Sequence, residues 1–137
     1  MFRIEDLENG HYILKDEILG QGAFAVVKSC ISRLTGEEFA VKIINKDQNR
    51  LRVLKEIQTF HLCMGHPNIV QLIEYFEDDN FYLVFEKMRG GPLLDHIQRR
   101  ICFTELEASM VVRDVAHALQ FLHRKSNFMH FHIYVAT

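Results

Sequence analysis

The run Gly20-Gln21-Gly22-Ala23-Phe24-Ala25-Val26-Val27 has the make-up of a loop that can come close to an anion. Where side chains are missing, backbone N–H groups can reach a phosphate directly. Taken alone, the same pattern also suits an ordinary hairpin turn, because glycine-rich turns are common. Context removes two nucleotide-binding arrangements. A dinucleotide-binding loop must open a helix, whereas Phe24 to Ser32 is β-rich. A Walker A loop needs Gly-Lys-Ser or Gly-Lys-Thr after the glycines, and neither follows. What remains is strand, loop, strand, and twenty residues after Gly22 a lysine closes the apolar run Phe39-Ala40-Val41-Lys42.

The elements that must position these residues can be read from periodicity and turn chemistry. Tyr12 to Leu19, Phe24 to Ser32 and Glu38 to Ile44 read as strands of an antiparallel meander, with Gly20-Gln21-Gly22 and Thr35-Gly36 at the turns. Asn49 to about Met64 reads as a helix whose buried face would carry Val53, Ile57, Phe60 and Met64, stopped by Gly65-His66-Pro67. Ile69 to Phe76 and Phe81 to Phe85 read as two further strands around the polar turn Glu77-Asp78-Asp79-Asn80. After Gly90-Gly91 the pattern turns helical, with a short segment from Leu93 to about Arg100. A long helix follows, opened by a Thr104/Glu107 capping box. Its predicted core stripe is Ala108, Val111, Val112, Val115, Ala116, Leu119 and Leu122. The last residues, Ser126 to Thr137, alternate with a period of two and read as a strand.

Strand, glycine loop, strand and lysine-bearing strand together resemble the start of a eukaryotic protein kinase domain. That family joins a Gly-x-Gly-x-x-Gly-x-Val loop to a strand ending Val-Ala-Ile-Lys or a near variant. Here Gly20, Gly22 and Val27 are in register, with Ala25 in place of the third glycine, and Ala40-Val41-Lys42 supplies the lysine motif. The resemblance implies an α+β fold: a kinase N-lobe of five antiparallel strands and one helix, followed by the first helices of a C-lobe. It implies that Lys42 holds ATP phosphates and that Glu56, mid-helix in Lys55-Glu56-Ile57, is the carboxylate that keeps the lysine in place. Tyr82 to Gly91 resembles the family's fifth strand and hinge, with Phe85 as gatekeeper and backbone groups near Glu86 and Met88 on the adenine edge. Leu19, Gly20, Gly22, Ala25, Val27, Ala40, Lys42, Glu56, Phe85, Glu86 and Met88 form the implied ATP-binding set. From Gly20 to Leu122 the chain is similar to the MAP-kinase-interacting kinases, a calcium/calmodulin-kinase-like branch. The resemblance is carried by passages such as Leu72 to Asp79, Phe81 to Lys87 and Glu107 to Ala116.

The pattern breaks after the long helix. Kinases place His-Arg-Asp there, the aspartate accepting the substrate hydroxyl proton, with an asparagine five positions on that holds magnesium. If His130 stands for the motif histidine, Phe131 and His132 replace arginine and aspartate, and no Asp-Phe-Gly appears. No catalytic residue and no metal ligand is therefore assigned; ATP is the expected cofactor, and the magnesium usual in the family lacks its ligands in these residues. The expected organisation is an N-terminal arm over 1–10, an N-lobe with ATP site and hinge over 11–90, the start of a C-lobe over 91–125 and a divergent tail over 126–137. The expected behaviour is nucleotide binding without meaningful phosphoryl transfer, the helix stripe being left open to self-association. The alternative is a non-catalytic interaction module or decoy isoform that occupies the protein partners of the parent kinase.

Composition agrees with one globular domain: 137 residues, 48% hydrophobic and 25% charged. A net charge of -2 gives no electrostatic reason to expect nucleic acid or an anionic membrane as partner. Cys30, Cys63 and Cys102 are odd in number and widely spaced, which indicates neither a disulfide framework nor a zinc site. The first residues, Met1 to Asp6, mix in acidic groups and lack a signal-peptide core, and no run of about 20 apolar residues exists. The expected location is intracellular, in the cytoplasm and with the nucleus also open.

Overall fold

The computed structural model describes residues 11–99 and 102–125. The N-terminal arm over 1–10, the expected strand over 126–137 and the His130/His132 comparison lie outside the described residues.

The strands are β1 (Tyr12–Gln21), β2 (Ala25–Ser32), β3 (Glu38–Asn45), β4 (Leu72–Glu77) and β5 (Asn80–Glu86), and the helices α1 (Arg50–Leu62), α2 (Leu93–Arg99) and α3 (Glu105–Lys125). The five strands form one antiparallel sheet, as the family resemblance implied, and their order is β1-β2-β3-β5-β4. Gly36 makes the β2–β3 turn with a φ of 72°, a backbone conformation that L side chains rarely adopt. Two breaks in register interrupt the β1–β2 ladder, between Leu14 and Ile18 and between Ile18 and Gly20.

The chain divides into two compact units. One comprises the residues up to His61 together with Gln71–Lys87; the other comprises Leu62–Val70 together with the residues from Met88 onward.

In the first unit, strand alternation gives the sheet two apolar faces. On one face Tyr12, Cys30, Val41, Tyr82 and Val84 form a buried cluster, extended by Leu14, Phe39, Ile43 and Phe76. Tyr12 sits at its centre, edge-on to Phe39 at 6.0 Å and to Phe76 at 6.1 Å, and its hydroxyl donates to Glu74. On the other face, Leu83 and Phe85 are buried, and Phe60 of α1 meets Phe85 edge-on at 4.9 Å. Helix α1 starts at a side-chain cap, the Leu51 N–H donating to Asn49 Oδ1 at 3.0 Å. Arg50 binds both oxygens of Glu77, which fastens the start of α1 to the end of β4.

Three expectations are corrected. Met64 is not on the buried face of α1: the helix ends at Leu62, the chain turns through Gly65 at a φ of 84°, and Cys63 rather than Met64 is buried. The strand expected from Ile69 begins only at Leu72, because the Ile69 N–H bonds back to the His66 carbonyl in a turn. In the second unit, α3 has the expected capping box, with the Glu107 N–H donating to Thr104 Oγ1 and the Thr104 N–H to Glu107 Oε2. Its predicted stripe, however, is only partly packed. Ala118 and Leu122 are buried with Cys63, Ile69 and Phe121, whereas Ala108, Val112, Ala116 and Leu119 are exposed. The packed line runs through Val111, Val115, Ala118 and Leu122, which is narrower than the apolar stripe.

Candidate functional site

One row across the first unit gathers residues from separate parts of the sequence. Gly20 stands opposite Val27, Val27 opposite Lys42, and Lys42 opposite Leu83. The next row of the same face sets Ser29 opposite Ala40 and Ala40 opposite Phe85. Thus Val27, Ala40, Lys42 and Phe85 are brought to one face of the sheet by register alone. Leu19 of β1 is exposed, and Ala25 opens β2. Met88 belongs to the second unit.

Lys42 is held by the helix on that face. Its Nζ lies 2.6 Å from Glu56 Oε1, with the two side chains only 16% and 25% exposed. A charge-assisted bond at this depth is strong because water competes for it poorly. It leaves the lysine with donors to spare, since an ammonium has three.

The loop between β1 and β2 is Gly22-Ala23-Phe24, closed by the Gly22 N–H donating to the Ala25 carbonyl at 2.9 Å. Neither Gly20 nor Gly22 has a positive φ. A methyl group built on Gly20 would meet only Val27 at 3.9 Å, and one on Gly22 only the Ala25 carbonyl at 3.7 Å, both ordinary contacts. The hairpin itself therefore does not require glycine at either place. A hollow of ≈ 280 Å³ at the loop tip is lined by the loop residues Gln21 to Ala25 together with Val26, Ile43, Asn45 and Asn80.

At the end of β5, Glu86 is tied on two sides to Gln71. Its N–H donates to the Gln71 carbonyl at 3.1 Å, and its carboxylate accepts the Gln71 N–H at 2.9 Å. Any contact of Glu86 to a ligand edge falls to its carbonyl.

Sequence reasoning missed Lys87. Its ammonium donates to Glu38 at 2.9 Å, to Glu17 at 3.1 Å and to Ser29 Oγ at 3.1 Å, and the side chain is 12% exposed. Glu38 also accepts from Lys15 at 2.7 Å. Hydrogen bonds from Lys15 and Lys87 push the Glu38 carboxyl down to about 2, and bonding to Glu38 and then Glu17 raises the Lys87 ammonium above its ordinary value. Neighbouring Cys30, wholly buried, is pushed up to about 12 by that burial. The sequence held no sign of this cluster beyond a lysine among strand residues.

No group of three or more acidic, histidine or cysteine side chains able to hold a metal ion occurs among the described residues. Within them, no helix is long and apolar enough to cross a membrane.

Comparison with known proteins adds to this geometry. Residues 13–133 match the protein kinase domain family. Over 117 residues the chain is 56% identical to MAP kinase-interacting serine/threonine-protein kinase 2 of Xenopus laevis, covering 83% of this chain and 25% of that one. It is 53% identical to MAP kinase-interacting serine/threonine-protein kinase mnk-1 of Caenorhabditis elegans, covering 82% and 16%. The chain thus spans a quarter or less of the length of these two relatives. Among solved structures, Rad53 1-466 in complex with AMP-PNP matches with a TM-score of 0.74 and 35% identity, over 84% of this chain and 31% of that one.

Proposed function

Because this chain belongs to the protein kinase domain family, we propose that its first unit holds ATP, with Lys42 on the phosphates and Ala40 and Phe85 beside the base. The observation that carries this reading is the Lys42–Glu56 pair, set in the same row as Val27 and Gly20. A lysine fixed by a carboxylate offers a cation of set reach to a polyanion, and the glycine loop offers backbone N–H groups that side chains do not block. The two glycines suit a phosphate group, since neither is needed by the loop's own backbone. Leu19, Val27 and Ala25 are the apolar residues offered to the nucleotide, and the backbone carbonyl of Glu86 is assigned to the adenine edge. A solved relative bound to AMP-PNP supports the ligand class.

Relatives of this sequence are named as serine/threonine kinases, and phosphoryl transfer to protein is the activity we assign to the complete family. These 137 residues contain neither His-Arg-Asp nor Asp-Phe-Gly. The aspartate that would take the hydroxyl proton and the family's magnesium ligands have no counterpart within them, so no step is assigned to the metal. Our reading for these residues is to bind and orient the nucleotide.

The test is a titration with a fluorescent ATP analogue. Losing charge-assisted bonds worth about 1.5–3 kcal/mol should weaken binding by Lys42→Ala roughly 10- to 100-fold. Equal binding by parent and variant, or no binding by either, overturns the proposal.

A further inference from the structure

Strand β5 ends at Glu86, and the chain beyond it leaves the sheet. In the β3–β5 ladder Phe39 is the partner of Glu86, so Lys87 emerges level with Glu38. Instead of pointing to water, where a lysine gains most, Lys87 turns back and lays its ammonium against three strands: Glu17 of β1, Ser29 of β2 and Glu38 of β3. Ser29 is wholly buried and stands directly opposite Ala40. The lysine therefore ties the end of β5 to the row of residues assigned to the base, one residue past Glu86.

We propose that Lys87 is a positioning residue for adenine: it fastens the backbone at the end of β5 to the three-strand meander, so that the adenine-binding edge is held at a fixed distance from Ala40. This role presupposes the nucleotide reading above. The physical reason is preorganisation. A backbone contact to a flat base binds well only if the segment carrying it has already lost its freedom. A lysine with three anchored bonds removes that freedom before the ligand arrives. Glu86, with both its N–H and its carboxylate on Gln71, fixes the same segment toward β4. Lys87 fixes it toward β1, β2 and β3.

The test separates the base from the phosphates. Binding of adenosine, ATP and inorganic tripolyphosphate is measured by calorimetry on the full chain, with Lys87→Met, Lys42→Ala and the milder Glu17→Gln. Lys87→Met should weaken adenosine and ATP by a common factor of about 10 and leave tripolyphosphate unchanged. Glu17→Gln, which removes the charge from one exposed partner of the three, should do the same by about 2- to 3-fold and keeps the question open to measurement if the methionine variant does not fold. Lys42→Ala should do the reverse, losing ATP and tripolyphosphate while keeping adenosine. If adenosine binding survives Lys87→Met and Glu17→Gln within twofold while Lys42 still governs ATP, the positioning role falls and the nucleotide reading stands. If both variants lose adenosine and tripolyphosphate alike, Lys87 only supports the fold and the positioning role falls. If the parent binds none of the three ligands, the nucleotide reading falls and the role of Lys87 with it.

Discussion

Val27 and Lys42 stand directly across from each other on β2 and β3. The loop that precedes Val27 and the lysine that ends the apolar run are thus set in place by one register, and a slip of one residue between the two strands would put Val27 and Lys42 on opposite faces. Glu56 then fixes the lysine from the helix side.

Replacing Glu56 by Gln leaves the Lys42 ammonium, 16% exposed, without its charge partner. We expect a loss of about 1–3 kcal/mol in stability by urea denaturation. The double variant with Lys42→Met should lose less than the sum of the single changes, by about 1 kcal/mol or more. Strict additivity would mean that the pair contributes nothing.

Gly22→Ala separates folding from ligand binding. The added methyl meets only the Ala25 carbonyl at 3.7 Å, and the φ is not positive. Stability should be unchanged or higher by about 0.4–1 kcal/mol, because alanine narrows the unfolded ensemble. Affinity for the ATP analogue should nevertheless fall. The same change at Gly36, with a φ of 72°, should be destabilising instead.

Acid should act through Glu38. Its carboxyl lies below the ordinary value, at about 2, so the stability it contributes is present above pH 4.5 and is lost as the pH falls toward 2. Urea midpoints of the parent and of Glu38→Gln should therefore converge over that interval and be furthest apart near neutrality. A constant gap across the range would show that the carboxylate charge plays no part.

Helix α1 has no acidic residue in its first turn, and the side chain that caps its N-terminal N–H groups is Asn49. Asn49→Ala should cost about 1 kcal/mol, whereas Asn49→Asp should be neutral or slightly stabilising, since it keeps the acceptor and adds charge at the positive end of the helix dipole. Thermal melts of the three proteins give the order directly.

The strands were legible in the sequence because turn residues and local alternation fix them. Thr35-Gly36 and the acidic run before Asn80 mark where the chain reverses, and β1, β2, β3 and β5 start or end within a residue or two of the expected places. Glu56 could be chosen because the resemblance supplied the template. The α3 stripe was over-read: periodicity shows which side of a helix is apolar, but the neighbour decides how much of that side is covered, and here Val112 and Leu119 remain exposed. Met64 was misplaced because a left-handed glycine after it, at residue 65, ends the helix sooner than the pattern does. The Lys87 cluster was illegible for a different reason. Its members lie at 17, 29, 38 and 87, and only the folded sheet makes them neighbours.

The register breaks in β1 carry one more consequence. Among the described residues β1 is an edge strand, and an open edge is a template on which another chain can polymerise as cross-β structure. Lys15, Asp16 and Glu17 fall inside the break between Leu14 and Ile18. A charged, bulged border of this kind discourages an incoming strand, so the side of the sheet next to the glycine loop is protected against fibrillar growth by the same irregularity that shortens its ladder.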